Sequence, residues 1–296
     1  MYSVEPDFFV PALATVEQEN PPWGLSTISN ADPPSSNSSY FYDSSAAEGT
    51  FIYIVDSGIL LDHVDFEGRA EAGFASGEET ARMHGTLVGS IAGGAKFGVA
   101  KKATIIDVQV MTDGGGSAAN IIEGVGWAVN DVVSKGRLGK SVFNLSLGAP
   151  GSPGALNDAC QAAIEAGITL VIAAGNANVD SADYTPANTP DAITVAASNS
   201  GYSRWAYSNW GSTADIFAPG EQVTGAWPTS TTGEHTDSGT SLAAPHVAGV
   251  IAYLFALEGS RSPAEVLERL QELALRDLIG DTKEVPNVLL YNGIGA

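Results

Sequence analysis

The chain has 296 residues, of which 44% are hydrophobic and 16% are charged, so it can bury a sizeable core and is not a disordered polyelectrolyte. Lys and Arg number 13 against 34 Asp and Glu, and the net charge of −21 argues against a nucleic acid or an anionic membrane surface as a partner. The single cysteine, Cys160, excludes an intrachain disulfide and a Cys-x-x-Cys metal or redox site, and its setting predicts a buried residue inside a helix.

The first 50 residues differ in composition from the rest of the chain. Residues 18–40 contain two Pro-Pro pairs and a Ser-rich run, a composition typical of loops and turns rather than of packed elements. Within this stretch, the segment that begins at Trp23 is the candidate anchor to the body of the protein.

From residue 51 onwards, short apolar runs alternate with longer helical stretches. Buried strands are predicted at 51–55, 104–110, 141–145, 168–173 and 192–196, and helices at 84–94, 117–134, 154–166, 240–258 and 263–275. Strands that alternate with helices in this way favour βαβ units, and hence an α/β protein with a mostly parallel central sheet and helices on both faces. The sequence shows neither an internal repeat nor an interdomain linker, so a single domain is expected.

Three segments combine a reactive side chain with small neighbours that allow close approach. They are centred on Asp56, which follows an apolar run, on His84, and on Ser241, which opens an apolar helix. Free backbone N–H groups and the positive end of the helix dipole lie at such a helix start, where they stabilise a developing oxyanion. Pro245, four residues after Ser241, has no N–H to donate, so we expect the Ser241 carbonyl to be free of the usual helical bond.

These three side chains are the types that acyl transfer by a serine requires. A serine hydroxyl is a weak nucleophile until a base removes its proton, and histidine is the natural base near neutral pH. A buried carboxylate then holds the imidazole in the correct tautomer and stabilises the imidazolium. Asp56, His84 and Ser241 supply one of each, in the chain order Asp, His, Ser.

That order is the one found in subtilisin, and the sequence resembles the subtilisin-like serine proteases, most closely the proteinase K branch found in fungi. The resemblance runs from about Trp23 to the C-terminus and implies a three-layer subtilisin-like fold. It is carried by an ordered set of motifs: Ile-Val-Asp56-Ser-Gly-Ile, His63-Val-Asp-Phe-Glu-Gly-Arg, His84-Gly-Thr, Gly98-Val-Ala-Lys-Lys, Ser146-Leu-Gly, Ala173-Ala-Gly-Asn, Phe217-Ala-Pro-Gly and Gly239-Thr-Ser241-Leu-Ala-Ala-Pro-His-Val-Ala-Gly.

The resemblance also implies a role for each matching residue. Asp56 orients the histidine, His84 acts as general base and then acid, Ser241 is the nucleophile, and Asn176 forms the oxyanion hole with the backbone N–H of Ser241. The segments Gly114–Gly115–Gly116 and Ser146–Leu147–Gly148 match the two edges that hold an extended peptide as an added strand. The remaining substrate-binding residues implied by the resemblance are Ala173, Ala174 and Gly175.

A structural calcium site follows from the same resemblance. Its implied ligands are the backbone carbonyls of Pro190 and Ala192 and the carboxylate of Asp215, and oxygen ligands suit Ca²⁺. The resemblance implies no organic cofactor.

The N-terminal residues resemble the end of an inhibitory propeptide, and residues 17–25 resemble the start of a mature subtilase. We therefore expect residues 1–16 to be a propeptide stub or a flexible tail, and residues 17–296 to be the catalytic domain. One hypothesis is that residues around 8–16 lie in the cleft like a bound product. The alternative is that they form a tail without contacts.

Several features depart from the family pattern. Leu87 stands where the motif commonly has a second histidine, and Asp237 adds a carboxylate just before the Ser segment. The resemblance favours a secreted protein, whereas the first residues lack the basic and apolar regions of a signal peptide and the chain has no disulfide. No run of about 18 apolar residues was found, and no membrane span is predicted.

The resulting prediction is a monomeric serine endopeptidase with a serine acyl-enzyme intermediate and a broad, apolar preference for the residue before the cleaved bond. Its expected partners are polypeptide substrates and a propeptide or proteinaceous inhibitor, with no nucleic acid and no membrane. Two alternatives stay open: the same triad acting in hydrolysis or acyl transfer on a non-protein substrate in a biosynthetic pathway, and a catalytically silent binding protein.

Overall fold

A computed structural model of the chain describes residues 14–32, 38–152 and 154–294. The strands are β1 (Thr15–Gln18), β2 (Tyr40–Asp43), β3 (Phe51–Asp56), β4 (Ala70–Ala75), β5 (Thr104–Gln109), β6 (Ser141–Leu145), β7 (Ala149–Pro150), β8 (Thr169–Ala173), β9 (Tyr184–Thr185), β10 (Ile193–Ser198), β11 (Ile216–Pro219), β12 (Val223–Trp227), β13 (Gly233–Asp237), β14 (Leu275–Arg276) and β15 (Val288–Leu289). The α-helices are α1 (Trp23–Thr27), α2 (Met83–Gly93), α3 (Ala118–Ser134), α4 (Ala155–Glu165), α5 (Thr240–Glu258) and α6 (Pro263–Leu273), and short 3₁₀ helices span Val64–Phe66 and Ser181–Asp183.

A nine-stranded sheet in the order β14-β15-β11-β10-β8-β6-β3-β5-β4 forms the centre of the fold. All neighbouring pairs in it are parallel except the β14–β15 pair. The five predicted buried strands are its strands β3, β5, β6, β8 and β10, and their bounds agree with the prediction to within two residues. The predicted helices are likewise found as α2 to α6. The predicted α/β class with a mostly parallel sheet is therefore confirmed.

Helices cover both faces of this sheet, which gives three layers. Along β3, Ile52 and Ile54 belong to the core that also contains residues of α2 and α5. Tyr53 and Val55 point to the opposite face and belong to the core that contains residues of α3 and α4. A strand that is buried on both faces needs a continuous apolar run rather than an alternating one, and this is why these strands can be recognised in the sequence.

Helix α5 runs through the larger core. Its length and its mean hydropathy of 1.6 would suffice for a membrane span, but 83% of its most apolar window is buried within the fold. Such burial is typical of the central helix of a globular domain, because a helix that is apolar on all sides has to be covered on all sides. Cys160 lies in α4 with no exposed surface, as predicted, and burial raises the pKa of its thiol to about 12.

The prediction of loop and turn is wrong for part of the N-terminal region. Trp23–Thr27 forms α1, and Leu25 within this helix is fully buried. The Trp23 indole N–H donates to the carbonyl of Gln222 at 3.0 Å, so this segment is anchored to the body of the protein as expected. Burial of this short apolar stretch outweighs a local composition that favours turns.

Most of the predicted N-terminal stub lies outside the described residues, which begin at Ala14. Its last two residues, Thr15 and Val16, belong to β1 and pair with Asp43 and Tyr42 of β2. Residues 8–13, the main part of the segment for which cleft binding was the hypothesis, are among those not described.

Candidate active site

Three elements bring a carboxylate, an imidazole and a hydroxyl to the carboxyl edge of the parallel sheet. Asp56 is the last residue of β3, His84 is the second residue of α2, and Ser241 is the second residue of α5. Ligands of open α/β sheets bind at this edge, because the loops that follow the strands meet there. His84 and Ser241 line the same cavity.

Asp56 and His84 form a hydrogen-bonded pair. The Nδ1 atom of His84 lies 2.8 Å from Oδ1 and 3.0 Å from Oδ2 of Asp56. The Asp56 side chain has no exposed surface, whereas that of His84 is 31% exposed. With Nδ1–H donated to the carboxylate, the other ring nitrogen is the basic one.

Close contact between glycines holds the two segments of this pair together. A Cβ atom on Gly85 would lie 2.4 Å from the carbonyl oxygen of Gly58, so only glycine fits at this crossing of α2 over the loop that follows Asp56. The backbone N–H of Leu60 also donates to the Thr86 hydroxyl at 2.9 Å. The carboxylate and the imidazole are thus fixed through their backbones as well as through their side chains.

The electrostatic surroundings raise the pKa of His84 above its usual value. Burial acts to lower this pKa, but the charge and hydrogen bond of Asp56, followed by the charges of Asp113 and Asp237, outweigh it. Asp237, the acidic departure noted in the sequence, is the exposed last residue of β13. The imidazolium form of His84 is therefore stabilised by three carboxylates.

The side-chain amide of Asn176 has a fixed orientation. Its Oδ1 atom accepts hydrogen bonds from the backbone N–H and from the hydroxyl of Thr240, both at 2.8 Å. The Thr240 hydroxyl in turn accepts from the N–H of Gly175 at 3.0 Å. Because Oδ1 is engaged by Thr240, the Nδ2 group is directed to the other side, where its N–H bonds are available as donors.

Because Gly239 has no side chain, a small space stays open between Asn176 and Ser241. A Cβ atom there would lie 2.8 Å from the Ser241 hydroxyl oxygen, 3.4 Å from Asn176 Nδ2 and 3.6 Å from the backbone nitrogen of Ser241. The Asn176 amide, the Ser241 N–H and the Ser241 hydroxyl thus face one small space. N–H donors that converge on one space in this way are able to stabilise the oxyanion of a tetrahedral intermediate.

As expected, the Ser241 carbonyl makes no hydrogen bond to residue 245 of its own helix. Pro245 lies inside α5, and the Ser241 carbonyl accepts instead from the hydroxyl of Ser146, at 2.7 Å. The Ser146 hydroxyl itself accepts from the amide of Asn144 at 2.9 Å. The Ser241 carbonyl, which would accept a backbone N–H in a regular helix, is thus bonded to the Ser146–Gly148 segment.

The cavity beside Ser241 has a volume of about 280 Å³. It brings together most of the residues predicted from the sequence, and its lining residues are His84, Ser146, Leu147, Gly148, Ala173, Gly175, Asn176, Tyr184, Thr240 and Ser241. Ala174 does not line it, because this residue is fully buried and its carbonyl accepts from the Asn209 amide.

A second cavity, of about 320 Å³, adjoins the first across Leu147 and Gly148. Gly115 and Gly116 line it, whereas the exposed Gly114 lines neither of these two cavities. Its remaining lining residues are mainly apolar: Met111, Ala118, Ile121, Ala149, Leu156 and Thr185. The two predicted peptide-binding edges therefore flank a pair of adjacent cavities.

Asp215 is placed next to the segment of the other two predicted calcium ligands. Its Oδ2 atom accepts from the N–H of Thr194 at 2.8 Å, two residues after Ala192. Burial raises the pKa of Asp215 to about 6 despite this bond. Such a desolvated carboxylate fits a cation with oxygen ligands. Among the described residues, no cluster of three or more His, Cys, Asp or Glu side chains forms a metal site.

A second buried carboxylate, Asp107 on β5, lies close to Asp56. It is 8% exposed, its Oδ1 atom has no hydrogen-bond partner among the described residues, and the Ile59 N–H donates to the group. Burial, with a smaller contribution from the charge of Asp56, raises its pKa to about 7, although the Ile59 N–H and Arg82 act in the other direction. Asp107 is thus a titratable group beneath the proposed catalytic pair.

Sequence reasoning missed Thr240, Tyr184, Asp107 and Asp113 as parts of this region. Thr240 is adjacent to Ser241, so its contact with Asn176 was within reach of a motif argument. Tyr184 lies in the two-residue strand β9, and Asp113 lies in a loop about thirty residues from the Met83 and His84 N–H groups that it accepts from. No local sequence pattern marks either residue. Asp107 is the one acidic residue in an otherwise apolar run, which is itself a usable signal.

Comparison with known proteins gives consistent relatives. The Peptidase S8 model, described as the subtilase family, matches residues 47–295. Alkaline protease 1 of Aspergillus clavatus is 45% identical over 289 residues, covering 97% of this chain and 70% of the relative. Subtilisin-like serine protease Pen ch 13 of Penicillium rubens is 46% identical over 298 residues, covering 99% and 73%. The crystal structure of a cold adapted subtilisin-like serine proteinase superposes with a TM-score of 0.86 at 36% identity, covering 92% of this chain and 98% of the other.

Proposed function

The chain belongs to the peptidase S8 subtilase family of serine proteases, and on this premise we propose that Asp56, His84 and Ser241 are the triad of an endopeptidase. The observation that carries the proposal is the single cavity lined by His84, Ser241 and Asn176, with Asp56 bonded to His84 from behind at 2.8 Å.

The proposed acylation begins with attack of the Ser241 hydroxyl oxygen on the carbonyl carbon of the peptide bond. His84 takes the hydroxyl proton as the new C–O bond forms, and Asp56 stabilises the imidazolium. The oxyanion is held by the Ser241 N–H and the Asn176 amide, the donors that face the space beside Gly239. His84 then gives its proton to the leaving amine as the C–N bond breaks.

Deacylation repeats these steps with water. His84 removes a proton from the water molecule, whose oxygen attacks the acyl carbon, and then returns a proton to the Ser241 oxygen as the ester bond breaks. The products are the two peptide fragments and the free enzyme. Because the same base serves both halves of the reaction, the neutral form of His84 is required at the start of each.

We propose that the substrate binds as an extended strand between the Gly114–Gly116 and Ser146–Gly148 segments. Alternate side chains of a strand point to the same side, so two side chains of one substrate can enter the two adjacent cavities. Ala173 and Leu147, the apolar residues of the first cavity, support a broad apolar preference for the residue before the cleaved bond, although the rest of the lining is mainly polar side chains and glycine.

A structural calcium ion is also proposed, with Pro190, Ala192 and Asp215 as the residues that would hold it. The support is the desolvated carboxylate of Asp215 next to the segment that contains the other two. When bound, the ion would neutralise this carboxylate and tie the residue that precedes β11 to the loop before β10. It takes no part in the proposed chemistry.

A fluorophosphonate probe and a peptide-library digest test the proposed function together. We expect the wild-type protein to react with the probe and to cleave library peptides at internal bonds, and Ser241→Ala to do neither while keeping its fold. Reaction with the probe without cleavage of any peptide would favour acyl transfer on a non-protein substrate. Absence of both in the folded wild-type protein would favour a silent binding protein.

A further inference from the structure

Asp113 connects the proposed substrate edge to the proposed catalytic histidine. It directly precedes Gly114–Gly116 in the loop between β5 and α3. Its Oδ1 atom accepts from the backbone N–H groups of Met83 at 2.8 Å and of His84 at 3.0 Å, and from the Ser57 hydroxyl at 3.0 Å. Its Oδ2 atom accepts from the Thr80 hydroxyl at 3.0 Å.

These hydrogen bonds supply acceptors for the first backbone N–H groups of α2. The first N–H groups of a helix have no acceptor within the helix, and a side chain such as Ser or Asp at the preceding residue commonly supplies one. Here that residue is Arg82, with φ of 58°, and a guanidinium has no acceptor to offer. The carboxylate comes instead from Asp113, thirty residues further along the chain.

Each of the first four backbone N–H groups of α2 has a hydrogen-bond acceptor. Asp113 accepts from Met83 and His84, and the Ser57 hydroxyl accepts from the N–H of Gly85 at 3.0 Å while donating its own proton to Asp113. The next N–H, that of Thr86, donates to the carbonyl of Arg82 at 3.2 Å, which is the first bond within the helix. Since Ser57 follows Asp56 directly, one carboxylate reaches the backbone segments of both members of the catalytic pair.

The charge of the Asp113 carboxylate, like its hydrogen bonds, acts on His84. Partial burial acts to raise the pKa of Asp113, but hydrogen bonds from His84, Thr80, Ser57 and Met83 outweigh it and hold the pKa below the usual value. Asp113 therefore stays ionised while His84 titrates, at the positive end of the α2 dipole. The carboxylates that act on His84 are Asp56 from β3, Asp113 from its loop and Asp237 from β13.

We propose that Asp113 is a positioning residue of the reaction: it fixes the start of α2, and with it His84, to the loop that forms one edge of the substrate cleft. The inference rests on the proposed function, because it assumes that His84 is the base. It assigns Asp113 no contact with the reacting atoms. Its effect on the reaction passes through the backbone position and the protonation of His84.

Two substitutions separate charge from position. Asp113→Asn keeps an acceptor oxygen for Met83 and His84 but removes the charge. We expect the acid limb of the kcat/KM–pH profile to move to lower pH, with kcat on the plateau changed less than about tenfold. Asp113→Ala removes the acceptor as well, and we expect kcat to fall by about 10²-fold, the cost typical of a misplaced catalytic group.

Asp277→Asn is the matched control. It makes the same chemical change at the other end of the sheet, directly after the edge strand β14, whereas Asp56 lies on β3. We expect its pH profile to coincide with that of the wild type. A role of Asp113 in stability alone would lower the melting temperature of its variants and leave the acid limb where it is, and that result would overturn the inference.

A second measurement does not depend on activity or on the Ala variant folding. In the Ser241→Ala background, with labelled histidine, the chain has only four imidazoles to assign. We expect the NMR titration of His84 to move to lower pH on adding Asp113→Asn, and an unchanged titration would refute the inference. Retained peptide cleavage by Ser241→Ala would instead refute the proposed function, so the two failures are distinguishable.

Discussion

The Ser146 hydroxyl donates a hydrogen bond of 2.7 Å to the carbonyl oxygen of Ser241. The bond joins one proposed edge of the substrate cleft to the first turn of the helix that carries the proposed nucleophile. It exists because Pro245 provides no N–H at the position where a regular helix would supply the donor. The backbone on which the nucleophile sits is thereby tied to the surface on which the substrate lies.

Removal of this donor provides the first prediction. Ser146→Ala leaves the part-buried Ser241 carbonyl and the buried Asn144 amide without this partner, and an unpaired buried group costs about 1–3 kcal/mol. We expect the free energy of unfolding, measured with urea in the Ser241→Ala background to prevent self-digestion, to fall by that amount. The exposed Ser230→Ala serves as the control. An equal loss in both variants would contradict the assigned role of the bond.

The orientation of the oxyanion donor gives the second prediction. Asn176→Ala removes the proposed donor, and in subtilisin the loss of the corresponding donor costs roughly 10²–10³ in kcat. Thr240→Val keeps the shape of its side chain but removes the hydroxyl that holds Oδ1 of Asn176. We expect it to lower kcat in the same direction by a smaller factor, with KM little changed. Thr240→Ser, which keeps the hydroxyl, is the control, and equal kcat values for the Val and Ser variants would refute the orienting role of Thr240.

Asp107 predicts how stability depends on pH. Its pKa is about 7 in the fold against 3.8 for the ordinary group, so folding disfavours its ionised form. The stability that such a raised pKa contributes to the folded state is fully present below pH 3.8 and is lost as the pH rises through about 7.

We therefore expect Asp107→Asn to be more stable than the parent at pH 8, by on the order of a few kcal/mol, and the difference to shrink towards pH 4. Urea unfolding at several pH values in the Ser241→Ala background measures this difference. A difference that does not change with pH would show that Asp107 does not ionise in this range.

The proposed calcium site provides a prediction about thermal stability. We expect a chelator to lower the melting temperature of the Ser241→Ala protein and added Ca²⁺ to restore it, because an ion that binds only the folded state stabilises it by mass action. In Asp215→Asn the melting temperature should no longer respond to Ca²⁺. A response that persists in this variant would place the ion elsewhere.

The central strands were predictable because burial on both faces forces long apolar runs, and β6, at Ser141–Leu145, has the predicted bounds. The short strands β14 and β15 were not, since two-residue pairings depend on a neighbour that the local sequence does not reveal. The helix α1 was missed for a related reason, because its stability comes from burial of Leu25 rather than from its own composition.

Separate sequence motifs mark each residue of the proposed triad. The residues around them were harder to find. Asp113 acts on a helix that begins thirty residues earlier, and only the folded chain shows that Arg82 leaves that helix start without an acceptor. Ala174 and Gly114 were predicted to bind substrate because they sit inside motifs, yet one is buried beneath the cavity and the other lies outside both cavities.

The central position of α5 affects how such an enzyme loses activity in solution. Ser241, the proposed nucleophile, is the second residue of a helix that forms much of the larger core, so we expect its position to be lost only when that core opens. A molecule that opens becomes inactive in the same step and turns into a substrate for its intact neighbours. We therefore expect the rate at which activity is lost in solution to follow the rate of global unfolding and the enzyme concentration.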